Sequence, residues 1–159
     1  VGSVNGACVA GGMGLLGICD VVVASHTARF GMPEAKIGLF PMQIVAVLRD
    51  LVPPRVFAEL CYTGRLIDAD EARALGLVNR VVQPSDLVDA TNALVDEILA
   101  VSPTAVRRGK YALRAMAGMS FDQMIAFAEQ QMGPMLATAD AREGLAAFNE
   151  RRRPVWPNG

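Results

Sequence analysis

The sequence carries one histidine, one tryptophan and three cysteines in 159 residues, and only 6% of it is aromatic. Cys8, Cys19 and Cys61 form an odd set without C-x-x-C spacing. That excludes a disulfide framework and a thiolate zinc site, and it points to reduced thiols and a cytoplasmic location. An excess of either charge is missing as well. The 15 basic and 16 acidic residues are dispersed, for a net charge of −1, so the electrostatic footprint of a nucleic-acid binder is absent. No run of about 18 apolar residues occurs, because residues such as Asp20, Arg49 and Asp50 interrupt each one, and no membrane span is expected. No targeting segment is visible. The chain opens at Val1 without an initiator methionine or a run-up to its first strand, and an incomplete N-terminus is expected on that ground.

What the sequence does have is aliphatic character. It is 52% hydrophobic with a mean hydropathy of +0.32, much of it Ala, Val and Leu. A chain of this length supports one compact domain with a sizeable core. The surplus of apolar residues suggests burial between subunits.

Residues 1–20 read as a short extended segment that turns through glycines into a brief helix. A short β-branched run, Val21-Val-Val-Ala24, suits a buried strand, 25–27 a turn, and 28–30 a second strand. Pro33 stiffens the loop that carries Glu34 and biases Met32 towards extended geometry. Residues 35–41 stay loop-like and 42–52 have helical length. Pro54 opens a helix over 55–62 that Thr63-Gly64 closes, and Asp68 caps another that ends at Gly76. Residues 77–82 form a strand-like run. This alternation is that of an α/β domain, over residues 1–84. From 85 to 159 the pattern is helical only: 87–101, a helix capped by Ser102 with Pro103 at its first position, one opened by the capping-box pair Ser120 and Gln123, and 139–153, stopped by Pro154.

The glycine stretch is the first functional candidate. Gly11 and Gly12 let the backbone approach a bound group closely, and a helix starting there presents free N–H groups to negative charge. That charge is either a resident phosphate or an oxyanion formed during a reaction. Gly12-Met-Gly14-Leu-Leu-Gly17 matches G-x-G-x-x-G, with Glu34 about twenty residues on, as in dinucleotide-binding units. The match is weak. Its strand has to run through Gly6, and a helix of about seven residues is short for a parallel crossover.

The same stretch, with Val4-Asn-Gly6, Gly11-Gly12, Cys19-Asp20, Phe30-Gly-Met-Pro-Glu34, Thr63-Gly64, Ala72, Gly76-Leu-Val78, Ser102-Pro103 and Asp140-x-x-Glu143-Gly144-x-x-Ala147-Phe148-x-x-Arg151, resembles the crotonase (enoyl-CoA hydratase/isomerase) superfamily over the whole chain. The resemblance implies a ClpP/crotonase-type ββα spiral core without its N-terminal part, followed by a C-terminal helical trimerisation region. It implies an acyl-CoA substrate, with coenzyme A as part of that substrate and no separate cofactor or metal. The expected assembly is a homotrimer or a dimer of trimers, with neither nucleic acid nor membrane as partner. The position matching the family's oxyanion-hole donor in this stretch is Gly11. Glu34 matches a catalytic carboxylate, and Gly12, Gly14, Phe40 and Pro41 are the expected substrate contacts.

Two departures bear on the reaction. Hydratases of the family carry a second carboxylate three residues after the donor glycine, where this chain has Gly14. A hydratase needs two carboxylates to hold and split a water, whereas a double-bond shift needs one base, so the residues favour isomerisation, with hydration as the alternative. After Gly38-Leu-Phe-Pro41, many hydratases continue with a glycine-rich run, and here Met42-Gln-Ile-Val-Ala-Val47 offers a more apolar wall. The family's second oxyanion donor lies upstream of anything seen here, so a catalytically incomplete binding or assembly subunit is a further alternative. Other candidates have structural readings. His26 sits in a turn without a partner in any motif, and Asp20 caps or pairs within the fold. The basic run Arg151-Arg-Arg153 suits a helix C-terminus, with CoA phosphates as the alternative. Met116 to Met135 are spaced like core packing.

Overall fold

The structure, a computed structural model, describes residues 1–157. They form two compact units, Val1–Val95 and Asp96–Gly159. In the first, strands β1 (Gly2–Val4) and β2 (Ala7–Val9) lead into helix α1 (Gly11–Gly17), and β3 (Val22–Ser25) and β4 (Arg29–Gly31) lead into a 3-10 turn, Pro33–Ile37. Helices α2 (Met42–Leu48) and α3 (Pro54–Thr63) follow, then β5 (Leu66–Asp68), α4 (Ala69–Ala74) and β6 (Arg80–Val82). A second 3-10 turn, Pro84–Asp86, leads into α5 (Leu87–Leu99), which runs on into the second unit.

Each of the first two steps contributes one strand to each of two sheets. One sheet has the order β1-β3-β6, all parallel, with Gly2 opposite Val22 and Val23 opposite Arg80. The other has the order β2-β4-β5, with β2 and β4 parallel and β5 antiparallel at the edge. This repeated two-strand step is the α/β spiral that the motif order implies. Parallel strands need both faces covered, which explains why every residue of β3 is buried. The core cluster gathers Met13, Phe30, Leu48, Leu60 and Ile67 from five different elements.

Several local expectations differ. The loop after Pro33 is a 3-10 turn, closed by Gly38 at φ 79, because Pro33 presets the first position and Gly38 accepts the left-handed one. Helix α2 ends at Leu48, before residue 52. The strand expected over 77–82 narrows to Arg80–Val82, since Leu77 and Val78 are spent in the core. Strand β5 is not marked by its sequence. It forms because β4 offers an edge, pairing Gly31 with Leu66.

The second unit contains α6 (Pro103–Met116), α7 (Phe121–Leu136) and α8 (Ala139–Asn149). Ser102 caps α6 by accepting from Ala105 N at 3.0 Å, and both bonds of the Ser120–Gln123 capping box are present. Buried Asp140 accepts from Ser102 Oγ at 2.7 Å and Thr104 N at 3.2 Å, tying the first turn of α8 to the start of α6. The methionines expected in a core reach it only in part: Met116, Met119, Met124 and Met135 are half-buried and Met132 is exposed, and no residue of α7, which packs chiefly against α6 and α8, is fully buried. Helix α8 stops short of residue 153, with Arg151 beyond it in a left-handed conformation at φ 54. Among the described residues, no helix is long and apolar enough to cross a membrane.

Candidate active site

The site begins with one pairing. Strands β2 and β4 are parallel neighbours with Val9 opposite Gly31, so the segments after them, Ala10-Gly11 and Met32-Pro33-Glu34, leave the sheet at the same end. That carboxyl edge is where open parallel sheets hold ligands. The Ala10 N–H donates to Gly31 O at 3.0 Å, which links the two exits directly.

Ala10 has φ 49 and ψ −123, a region that glycine favours and that costs a residue with a side chain about 1–3 kcal/mol. The sharp turn starts α1 at Gly11, with Ala10 O accepting from Met13 N at 2.8 Å. A first-turn N–H has no carbonyl behind it within the helix, and α1 carries neither a side-chain cap nor an acidic residue in its first turn. Gly11 is exposed, and a Cβ there would meet nothing within 4 Å. A side chain at this position would therefore face open space.

Glu34 is the second residue of the 3-10 turn. Its Oε2 is buried and has no hydrogen-bond partner among the described residues. A buried carboxylate oxygen without a partner is costly, which makes Glu34 a candidate functional group. Beneath it, Cys61 of α3 lies with its Sγ 4.0 Å from Met32 Sδ. Burial pushes the Cys61 thiol up from its ordinary pKa, and the Glu34 charge pushes it further. Sequence reading missed Cys61; its only signal was the helical i, i+4 spacing from buried Phe57.

The Glu34 turn is braced by the end of α3. Gly64, at φ 59, ends α3 against it, where a Cβ would come within 3.1 Å of Pro33 Cα. Arg65 follows and holds Glu59 at 2.7 Å and Glu71 at 2.7 and 3.1 Å, joining α3 to α4 around β5. These carboxylates, Glu71 first, hold the guanidinium proton more firmly than usual. Gly31 sits so close to β5 that a Cβ would lie 2.8 Å from Arg65 O.

The remaining predicted contacts separate. Gly14 lies on α1 facing Ile44 of α2, with 3.7 Å between Ile44 Cγ1 and the position of a Cβ. Gly12 faces Cys8 Sγ at 3.7 Å. Phe40 is exposed and meets Tyr62 at the end of α3, ring centroids 6.3 Å apart and tilted by 40°. Pro41 is buried and starts α2. Ile44 was not singled out from sequence, although the i, i+4 pair Ile44 and Leu48 marks the buried face of α2. His26 is on the surface, 3.8 Å from Asp70, in an exposed pair worth little. Among the described residues, no group of three or more His, Cys, Asp and Glu side chains is arranged to hold a metal.

The sequence model of one family, described as enoyl-CoA hydratase/isomerase, matches residues 1–159. The chain belongs to the enoyl-CoA hydratase/isomerase family. It is 36% identical over 154 residues to the crotonyl-CoA hydratase of Syntrophomonas wolfei, covering 96% of this chain and 59% of that protein. It is 34% identical over 154 residues to the short-chain-enoyl-CoA hydratase of Clostridium acetobutylicum, with the same coverages of 96% and 59%. The crystal structure of an enoyl-CoA hydratase from Mycobacterium smegmatis superimposes with a TM-score of 0.91 at 36% identity, over 95% of this chain and 59% of that one. The chain thus spans about three fifths of the length of these enoyl-CoA hydratase/isomerase relatives. The crotonase-type α/β fold implied by the motif order is the fold observed.

Proposed function

We propose that this protein is an acyl-CoA-processing enzyme that moves a carbon–carbon double bond, using the Gly11 N–H as an oxyanion donor and Glu34 as its single carboxylate base. The observation that carries the reading is the buried Oε2 of Glu34, without a hydrogen-bond partner among the described residues, at the sheet edge where α1 starts at exposed Gly11. In a 3-enoyl-CoA, Glu34 takes a proton from C2, and the C–H electron pair moves into an enolate whose charge rests on the thioester oxygen. Gly11 stabilises that charge, and one such donor contributes about 2.7–4 kcal/mol to a transition state. The enolate then takes the proton back at C4, leaving the double bond between C2 and C3. One carboxylate completes both transfers. Coenzyme A enters as part of the substrate, and Gly12, Gly14, Phe40 and Pro41 are read as substrate-binding positions.

A second reading, hydration of a 2-enoyl-CoA, is favoured by the names of the hydratase relatives. It needs a second group to orient water, and Gly14 has no side chain to supply one. The exposed apolar side chains of α6, α7 and α8, such as Leu113, Phe121 and Phe148, support assembly as a homotrimer or a dimer of trimers. Three free thiols suit a cytoplasmic setting.

The test supplies the complete gene product with 3-enoyl-CoA and with 2-enoyl-CoA. Isomerisation should dominate, and Glu34→Gln should lower it by on the order of 10²–10⁴-fold. Unchanged turnover in Glu34→Gln overturns the assignment, dominant hydration selects the second reading, and turnover of neither substrate leaves a binding or assembly subunit.

A further inference from the structure

Because Oε2 of Glu34 has no hydrogen-bond partner among the described residues, no bond at that oxygen fixes the carboxyl, and its place depends on the packing of its turn. The turn itself is stiff. Pro33 presets its entry, Gly38 N donates to Ala35 O at 3.3 Å, and Leu39 N donates to Glu34 O at 3.1 Å. Residues three apart stand above one another in a 3-10 turn, so Pro33 and Lys36 share one row and Glu34 belongs to the next. The row of Pro33 and Lys36 rests on Gly64. A Cβ there would lie 3.1 Å from Pro33 Cα, 3.2 Å from Lys36 Cε and 3.3 Å from Lys36 Cγ. Gly64 is held as firmly: at φ 59 its N–H donates to Leu60 O at 3.0 Å. Beside it, Thr63 Oγ1 donates to Glu59 O at 2.8 Å and accepts from Arg65 N at 3.2 Å, and the Arg65 guanidinium is tied to Glu59 and Glu71.

We infer that Gly64 is a positioning residue for the proton transfer, whose bare backbone lets the turn of Glu34 seat against the end of α3. The inference rests on the reading of Glu34 as the single base and says what sets that base in place. Two stiff segments meet here with no side chain between them. Of the atoms a Cβ would meet, those of Lys36 end a flexible chain and can swing aside, whereas Pro33 Cα is backbone and must itself give by a few tenths of an ångström. Glu34 is joined to Pro33 by one peptide bond and moves with it. A carboxylate that takes a proton from C2 and returns it to C4 has to reach both carbons from one seat, so a shift of the turn lowers turnover without changing how the substrate binds.

The experiment measures steady-state isomerisation of 3-enoyl-CoA and the urea midpoint in the complete gene product, for wild type, Glu34→Gln, Gly64→Ala, Gly64→Asn and Gly118→Ala. Gly118 is the control, since it has φ 84 and nothing within 4 Å of a Cβ. Both alanine variants force a side chain into the left-handed region, so both should lower the midpoint. Only Gly64→Ala also meets Pro33. It should lose on the order of tenfold in kcat and in kcat/KM with KM unchanged, while Gly118→Ala keeps the wild-type kcat. Asparagine accepts the left-handed region more readily, so Gly64→Asn should recover part of the midpoint and none of the kcat, and it decides the matter where Gly64→Ala does not fold. Wild-type kcat in the Gly64 variants, the same loss in Gly118→Ala, or a loss confined to KM overturns the inference while Glu34 stands as the base. Unchanged turnover in Glu34→Gln, or no isomerisation in wild type, overturns the reading of the base and this inference with it.

Discussion

Adding one carbon at Gly31 should destabilise the fold and displace the base together. A Cβ at that position would lie 2.7 Å from Leu66 Cδ2, 2.8 Å from Arg65 O and 3.3 Å from Leu66 Cα. The leucine terminus can swing aside, but Arg65 O is backbone, and the Arg65 side chain is anchored to Glu59 and Glu71. Either β4 or β5 must therefore shift by a few tenths of an ångström. Overpacking of this kind costs about 1–3 kcal/mol, against a gain of about 0.4–1 kcal/mol from a less flexible unfolded chain. Gly31→Ala should lose about 1–2 kcal/mol, read as a lower midpoint in urea with an unchanged slope. Gly109→Ala is the matched control. It lies inside α6 with nothing within 4 Å of a Cβ, and should gain about 0.5–1 kcal/mol. Because Glu34 is three residues beyond Gly31, turnover in Gly31→Ala should also fall, by up to roughly 10²-fold for a displacement approaching 1 Å. If Gly31→Ala proves as stable as Gly109→Ala, the close approach of β4 and β5 is not what the fold depends on and the reasoning fails.

Two further outcomes concern the second unit. Asp140→Ala removes a buried carboxylate and leaves the Ser102 hydroxyl and the Thr104 N–H without it, so denaturation should show a loss of about 3 kcal/mol, and a loss below about 1 kcal/mol refutes the tie between α8 and α6. Glu143, held near pKa 2 chiefly by Arg152 and then by the Val155 N–H, fastens the tail that carries Trp156 over Gly144. Its folded pKa lies below the ordinary 4.5, so its contribution is complete above about pH 4.5 and is lost as pH falls towards 2. Emission from the single tryptophan should therefore shift to the red across that window and be shifted already at pH 7 in Glu143→Gln; a tail signal indifferent to both pH and substitution contradicts it.

The basic run at 151–153 resolves unevenly, and the reason is geometric. Arg152 is engaged by Glu143 and Glu150, so it serves the tail. Arg151 occupies a left-handed position at which a side chain is strained, and its spacing gave no hint of that. Likewise, methionines spaced like a core along α7 are at most half-buried, because helical periodicity reports a shared face and says nothing about what lies opposite.

Read alone, the sequence determined whatever depends on a few consecutive residues. Ser102 and Ser120 cap their helices, Asp68 accepts from Glu71 N at 2.8 Å, and Gly64 ends α3 in a left-handed conformation, since cap and capped group lie within four residues of each other. The ordered motifs also determined the family and the α/β spiral. Only the tertiary structure decided that β5 joins β4, that the exits at Gly11 and Glu34 share one sheet edge, that Glu34 Oε2 is buried without a partner among the described residues while its charge acts on Cys61, and that Ile44 stands beside the Gly14 position. Each of these pairs residues at least ten positions apart, and such contacts are set by how whole elements pack, which no local pattern encodes.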